Sequence, residues 1–127
     1  MTRINEVGAV FVPVADQERA LEFYFGKLGF EKVADFTYGG GSRWVEVAPP
    51  GAANTIALVP PSEGEAAGGD AAHCAFATTD IEADHAALRA ASVDVLVSTE
   101  ATIEDPVPAQ FFFRDVDGNR FLIVQPG

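Results

Sequence analysis

Residues 110–125 read Gln110-Phe111-Phe112-Phe113-Arg114-Asp115-Val116-Asp117-Gly118-Asn119-Arg120-Phe121-Leu122-Ile123-Val124-Gln125. Two runs rich in aromatic and β-branched residues flank a polar segment that ends in Asp-Gly. That dipeptide tolerates the positive φ of a tight turn, so the stretch reads as a hairpin. Gln110–Arg114 is one strand, Asp115–Gly118 the turn and Arg120–Gln125 the final strand. Working back, Pro106-Val107-Pro108 introduces the hairpin and Val93–Val97 is a further strand. A helix is expected through Ile81–Ala91, with Leu88 on its apolar side. Thr79 followed by Glu82 has the spacing of a capping box. Ala72–Ala77 is an apolar run that precedes it.

The same order occurs earlier in the chain. Gly8–Val14 is nearly all apolar and suits a buried strand. Asp16 is placed to cap a helix through Gln17–Leu28, where Leu21, Tyr24, Phe25 and Leu28 recur at helical spacing. Gly29 stops it. Phe30–Tyr38, Arg43–Ala48 and Thr55–Val59 read as strands, separated by Gly39-Gly40-Gly41 and by Pro49-Pro50-Gly51. Ser62–Asp70 is rich in Gly, Glu and Ala, as linkers are. Each half therefore reads strand, helix, strand, strand, strand, the mark of a duplicated supersecondary unit. The fold class expected is α+β: two βαβββ modules, about 5–61 and 71–127, in one domain spanning 1–127. Their strands form a curved mixed sheet around a cleft, with helices on the outer face.

Composition narrows the function. The chain has 127 residues, 48% of them apolar, enough for an interior. Its net charge of -11, from 8 basic and 19 acidic residues, disfavours nucleic acid as a partner. An acidic surface attracts cations at long range, or simply keeps a protein soluble. Cys74 is the single cysteine, so no disulfide closes within the chain. No segment has the length and apolarity of a membrane span, and no leader pattern opens the chain. A cytoplasmic location is expected.

Three segments carry a resemblance to a known family. Asp16-Gln17-Glu18-Arg19-Ala20-Leu21-Glu22-Phe23-Tyr24 with Lys27-Leu28-Gly29-Phe30 is similar to the first helix of the vicinal oxygen chelate superfamily. That superfamily includes glyoxalase I, bleomycin resistance proteins and extradiol dioxygenases. Ala72–Phe76 resembles its fifth strand, and Phe112–Asn119 its closing hairpin, with Val116 in place of the usual proline. The resemblance implies that metalloenzymes of the family hold a divalent ion with side chains at the positions of Ala9, Ala57, His73 and Leu122. Alanine and leucine have no donor atoms, and one imidazole does not make a site. No metal and no cofactor are therefore expected.

Alternation along the strands places Phe11, Val59, Ala75 and Val124 on the same side as those four positions. Hairpin pairing adds Trp44, Glu46, Gln110 and Phe112. Val10, Val12, Val45, Val47, Ile56, Leu58, Phe76, Phe121 and Ile123 face the other way, toward a helix-covered core. The expected ligand-binding set is Phe11, Trp44, Glu46, Ala57, Val59, His73, Gln110, Phe112 and Leu122: mostly apolar walls with sparse polar anchors. Each has an ordinary alternative. Trp44 and the phenylalanines are equally explained by packing, His73 by a structural role, and Glu46 by solvation or a charge pair with Arg43 or Arg120.

The reading that follows is a binding protein rather than an enzyme. It resembles the bleomycin-resistance branch, whose members are homodimers that sequester a drug unchanged. The implied ligand is a bulky aromatic natural product, an antibiotic. The alternative is a lyase, isomerase or dioxygenase of the glyoxalase type, using a displaced metal site or Glu46 and His73 as acid and base. An accessory module with a vestigial cavity is a third reading.

Overall fold

The structure, a computed structural model, describes residues 1–99 and 109–126. The strand-introducing segment Pro106-Val107-Pro108 lies outside them. The order is β1 (Ala9–Pro13), α1 (Gln17–Gly26), β2 (Glu31–Tyr38), β3 (Ser42–Ala48), β4 (Thr55–Val59), β5 (Ala72–Ala77), α2 (Ile81–Ala90), β6 (Asp94–Thr99), β7 (Ala109–Arg114) and β8 (Arg120–Gln125). The fold is α+β, made of two βαβββ modules. Each module has its own four-stranded mixed sheet, ordered β1-β4-β3-β2 and β5-β8-β7-β6, and the sheets are not closed into a barrel.

The two helices start as their sequences dictate. Asp16 Oδ1 accepts from the backbone N–H of Glu18 and Arg19 at 2.9 and 3.2 Å, so the first turn of α1 is satisfied. Gly29, with φ of 74°, closes α1, and Phe30 N–H returns to Tyr24 carbonyl oxygen at 2.9 Å. In α2 the cap is Asp80, whose Oδ1 accepts from Ala83 N–H at 3.1 Å. The Thr79–Glu82 capping box expected from spacing is thus displaced by one residue. A carboxylate is the better acceptor there, and Thr78 Oγ1 instead accepts from Asp80 N–H at 3.3 Å.

Strand alternation then builds one core from both modules. Val12, Val45, Val47, Ile56 and Leu58 of the first sheet are buried, as are Phe111, Phe113, Phe121 and Ile123 of the second. Val10 and Phe76 pack against them. The rings of Tyr24, Phe30, Phe76 and Phe121 make a run of contacts across the junction, with centroids 5.3 to 6.3 Å apart.

A polar cluster locks the modules together. Asp115 is buried in the β7–β8 turn. Its Oδ2 accepts from Tyr24 Oη at 2.6 Å and from Asn119 Nδ2 at 3.0 Å. Its Oδ1 accepts from the backbone N–H of Asp117 and Asn119, both at 2.9 Å. Asn119 Nδ2 also donates to Pro13 carbonyl oxygen at 2.7 Å, and its Oδ1 accepts from Gly68 N–H at 2.8 Å. Asp117 Oδ1 accepts from Ala15 N–H and from Arg19, at 3.0 and 2.9 Å. A β-carbon on Gly68 would stand 3.3 Å from Asp117 carbonyl oxygen, which is why a glycine lies there. Burial, then the charge of Asp115 beside it, push the Tyr24 phenol well above its ordinary pKa. Tyr24 is therefore a neutral donor throughout the physiological range.

Tyr24→Phe removes one donor from a buried carboxylate and leaves the ring packing in place. It is expected to cost about 1–3 kcal/mol in denaturant-midpoint measurements, with unchanged far-ultraviolet circular dichroism. A midpoint equal to that of the unsubstituted protein would show that the cluster does not hold the modules.

Candidate functional site

The face of the first sheet opposite the core carries the expected residues of that module. Phe11 pairs with Ala57, and Ala57 with Glu46. Trp44 pairs with Phe36 on β2. Trp44 is the centre of an aromatic cluster. Phe11 meets it edge-on at 5.8 Å between centroids, Phe36 stacks on it at 6.5 Å, and Tyr38 meets it edge-on at 6.3 Å. Phe11 is 62% exposed, Phe36 53% and Tyr38 49%, while Trp44 is half-buried among them. Large aromatic groups clustered on one open face mark a surface that something covers.

Glu46 orients this cluster. Trp44 Nε1 donates to its Oε2 at 2.6 Å, and Thr55 Oγ1 to its Oε1 at 2.5 Å. The hydrogen bonds from Thr55 and then Trp44 hold the Glu46 carboxyl below its ordinary pKa, against the opposing effect of burial. Glu46 is therefore an ionised anchor for the indole. It pairs with neither Arg43 nor Arg120, the charge partners considered from sequence. Arg43 binds Asp35 at 2.8 and 2.7 Å and Glu18 at 2.6 Å. The Arg120 guanidinium lies 3.9 Å from the centroid of the Phe112 ring. Ala57 is on the same face as its pairing partners Phe11 and Glu46 and has no exposed surface. Val59 is half-buried.

The second sheet brings Phe112 opposite Leu122, and Leu122 opposite Ala75; Gln110 pairs with Val124. Gln110, Phe112, Leu122 and Val124 are half-buried, between the buried residues of the core face. His73 departs from simple alternation. The register of β5 on β8 runs from Ala72 opposite Arg120 to Ala75 opposite Leu122, so His73 and Cys74 both stand opposite Phe121. Such a bulge redirects side chains. The His73 ring lies 5.8 Å from that of core residue Phe121, and its buried Nε2 has no hydrogen-bond partner among the described residues. No hydrogen bond joins His73 to Glu46, whose oxygens accept from Trp44 and Thr55. Burial pushes the Cys74 thiol up to about 11, which leaves it a poor nucleophile at neutral pH.

The residues do not fit the divalent metal of the family's enzymes. Ala9, Ala57 and Leu122 carry no donors, and the bulge sets His73 against Phe121. Among the described residues no three His, Cys, Asp or Glu side chains gather closely enough to hold an ion.

Phe36 and Tyr38 were not anticipated as part of this face. The hairpin register carries the signal: across the Gly39–Gly41 turn, Phe36 falls opposite Trp44 and Tyr38 opposite Ser42. Counting outward from that turn identifies both.

Comparison with known proteins agrees with this geometry. The chain is 32% identical over 120 residues to the uncharacterized protein YetH of Bacillus subtilis (strain 168), covering 94% of this chain and 98% of that one. The crystal structure of TnmS3, an antibiotic binding protein from Streptomyces sp. CB03234, matches with a TM-score of 0.87 and 34% identity over 100% of both chains. A member of the glyoxalase/bleomycin resistance protein/dioxygenase superfamily from Sphaerobacter thermophilus DSM 20745 matches with a TM-score of 0.88 and 33% identity, over 98% of this chain and 100% of that one. The model of that family matches residues 3–123. The matched span runs from before β1 into β8, and the chain belongs to the Glyoxalase/Bleomycin resistance protein/Dioxygenase superfamily.

Proposed function

We propose that this protein binds and sequesters a bulky aromatic natural product without a metal, as an antibiotic-resistance or self-resistance protein acting in the cytoplasm. The observation that carries the reading is the aromatic cluster around Trp44, exposed on the sheet face where the family's enzymes place a metal. A planar ligand gains stacking area from Phe11, Phe36, Tyr38 and Trp44, and Glu46 holds the indole in one orientation before the ligand arrives. The similarity to the antibiotic binding protein TnmS3 over the full length of both chains supports this class of ligand. Sequestration needs shape and affinity only, so the loss of donors at Ala9, Ala57 and Leu122 carries no penalty.

The working form in this reading is a homodimer. Each chain offers an aromatic face on its first sheet and a face with Gln110, Phe112 and Leu122 on its second. A two-fold pair brings the first face of each chain over the second face of its partner and encloses two equal sites. The ligand set is then Phe11, Trp44, Glu46, Ala57, Val59, Gln110, Phe112 and Leu122, with Phe36 and Tyr38 added. His73 supports the wall from behind, through Phe121. The lyase or dioxygenase alternative finds no metal-holding cluster among the described residues and no Glu46–His73 hydrogen bond to support it. No helix of the described residues is long and apolar enough to cross a membrane.

Aromatic antibiotics, metal-free bleomycin among them, are expected to quench Trp44 fluorescence saturably, and the ligand is expected to be recovered chemically unchanged. Trp44→Ala, followed by calorimetry, is expected to weaken binding about tenfold or more, from the lost stacking and area. Unchanged affinity in that variant, or a chemically altered ligand, contradicts the reading.

Glu46 gives a second, pH-dependent expectation. Its folded pKa is depressed, so its stabilisation is present above the ordinary carboxylate value and is lost as pH falls through the lower folded value. Trp44 emission should therefore hold steady through the usual carboxylate range and change only at more acid pH, when the indole loses its acceptor. Glu46→Gln should abolish that acid transition. A transition that persists in Glu46→Gln would assign it to another group.

A further inference from the structure

A cavity of about 210 Å³ lies between the two modules on their helix-bearing side, lined by residues that the aromatic face does not use. Its walls include Phe30, Pro49, Phe76, Thr78, Asp84 and Leu88. The internal repeat explains why it exists. Matching the caps Asp16 and Asp80 aligns Tyr24 with Leu88, Phe23 with Ala87 and Ala20 with Asp84. The helix exits correspond, with one residue fewer in the second: Tyr24 carbonyl oxygen accepts from Phe30 N–H and Leu88 carbonyl oxygen accepts from Val93 N–H, both at 2.9 Å. Matching the cross-strand pairs Glu46–Ala57 and Phe112–Leu122 aligns Pro49 with Asp115.

The two repeat-related contacts between modules are therefore unlike. At one, Phe23 and Tyr24 are buried and the Tyr24 hydroxyl reaches Asp115. At its mate a leucine faces a proline, an alanine stands where Phe23 would be, and the space stays open. In exchange the mate gains a carboxylate: Asp84 replaces the fully buried Ala20, and Thr78 Oγ1 donates to Asp84 Oδ2.

We propose that this cavity is a second small-molecule site, which takes a compact planar aromatic molecule carrying one neutral N–H donor directed at Asp84. Size argues for a compact ligand. A cavity of about 150 Å³ holds benzene, while sites for drug-sized molecules run from about 300 Å³ upward. A bicyclic ring fits between those limits, and a bulky natural product does not. Chemistry argues for the donor. Phe30, Phe76 and Leu88 supply apolar walls, Asp84 supplies an acceptor on the first turn of α2, and Lys27, which also lines the cavity, favours a neutral N–H donor over a cationic one. The site does not depend on the function proposed for the aromatic face.

Indole is the probe, with indene as the same shape lacking the N–H. Titration followed by amide nuclear magnetic resonance should move the signals of Thr78, Ala87 and Leu88 saturably with indole, and indene should bind about tenfold more weakly. Ala87→Phe, which restores the side chain found at the mate, should abolish these shifts. Asp84→Ala should reduce the indole preference to near unity, a readout that holds even if Ala87→Phe does not fold. The Trp44 indole N–H reports the aromatic face separately, so failure here leaves that face untouched. Indole shifts confined to Trp44 and its neighbours would overturn the proposal. So would full indole binding in folded Ala87→Phe, or an indole preference that survives Asp84→Ala.

Discussion

One buried carboxylate holds this structure in its shape. Asp115 collects four donors: the Tyr24 hydroxyl, the backbone N–H of Asp117 and Asn119, and the Asn119 amide. A buried charge is costly unless its lone pairs are filled, and here they are. Asn119 extends the cluster to the end of β1 and to the segment between modules, and Asp117 extends it to the start of α1. The turn that closes the second module is thereby fastened to the strand and helix of the first. The relative placement of the two sheets, and so of their outward faces, follows from that fastening together with the Tyr24, Phe30, Phe76 and Phe121 contacts.

A scaffold fixed in this way can leave aromatic rings in the open. Phe11, Phe36 and Tyr38 expose about half or more of their surface on a sheet whose other side carries the buried Val12, Val45, Val47, Ile56 and Leu58. Such exposure is unfavourable in water and becomes favourable once a ligand or a second chain covers it. Glu46 adds order: it accepts from Trp44 and Thr55 and so sets the plane of the indole ahead of any encounter. Binding then costs less in side-chain entropy than it would at a mobile surface. The mate of the Tyr24–Asp115 contact is the converse: with Pro49, Ala87 and Leu88 there, the space stays open.

Much of this was legible in the chain. The repeat of strand, helix and three strands gave the α+β class, since helical spacing and strand alternation are local properties. The core face was legible for the same reason: Val45, Val47, Ile56 and Leu58 alternate with Trp44, Glu46 and Ala57 on paired strands. What stayed hidden depended on irregular or distant geometry. The β5 bulge, one extra residue opposite Phe121, turned His73 from its simple parity. The cap of α2 fell on Asp80 because a carboxylate one residue on made the better acceptor. Phe36 and Tyr38 lay one hairpin beyond the strands sorted by face. The Tyr24–Asp115 bond spans 91 residues, and no spacing rule reaches that far.

The central claim is that affinity resides in aromatic surface and not in a coordinated ion. The most direct measurement is calorimetric titration of an aromatic antibiotic that quenches Trp44. It is done once on protein stripped of divalent ions by a chelator and again after zinc is restored. The account predicts the same affinity and stoichiometry in both titrations. Binding that disappears with the chelator and returns with zinc would contradict it.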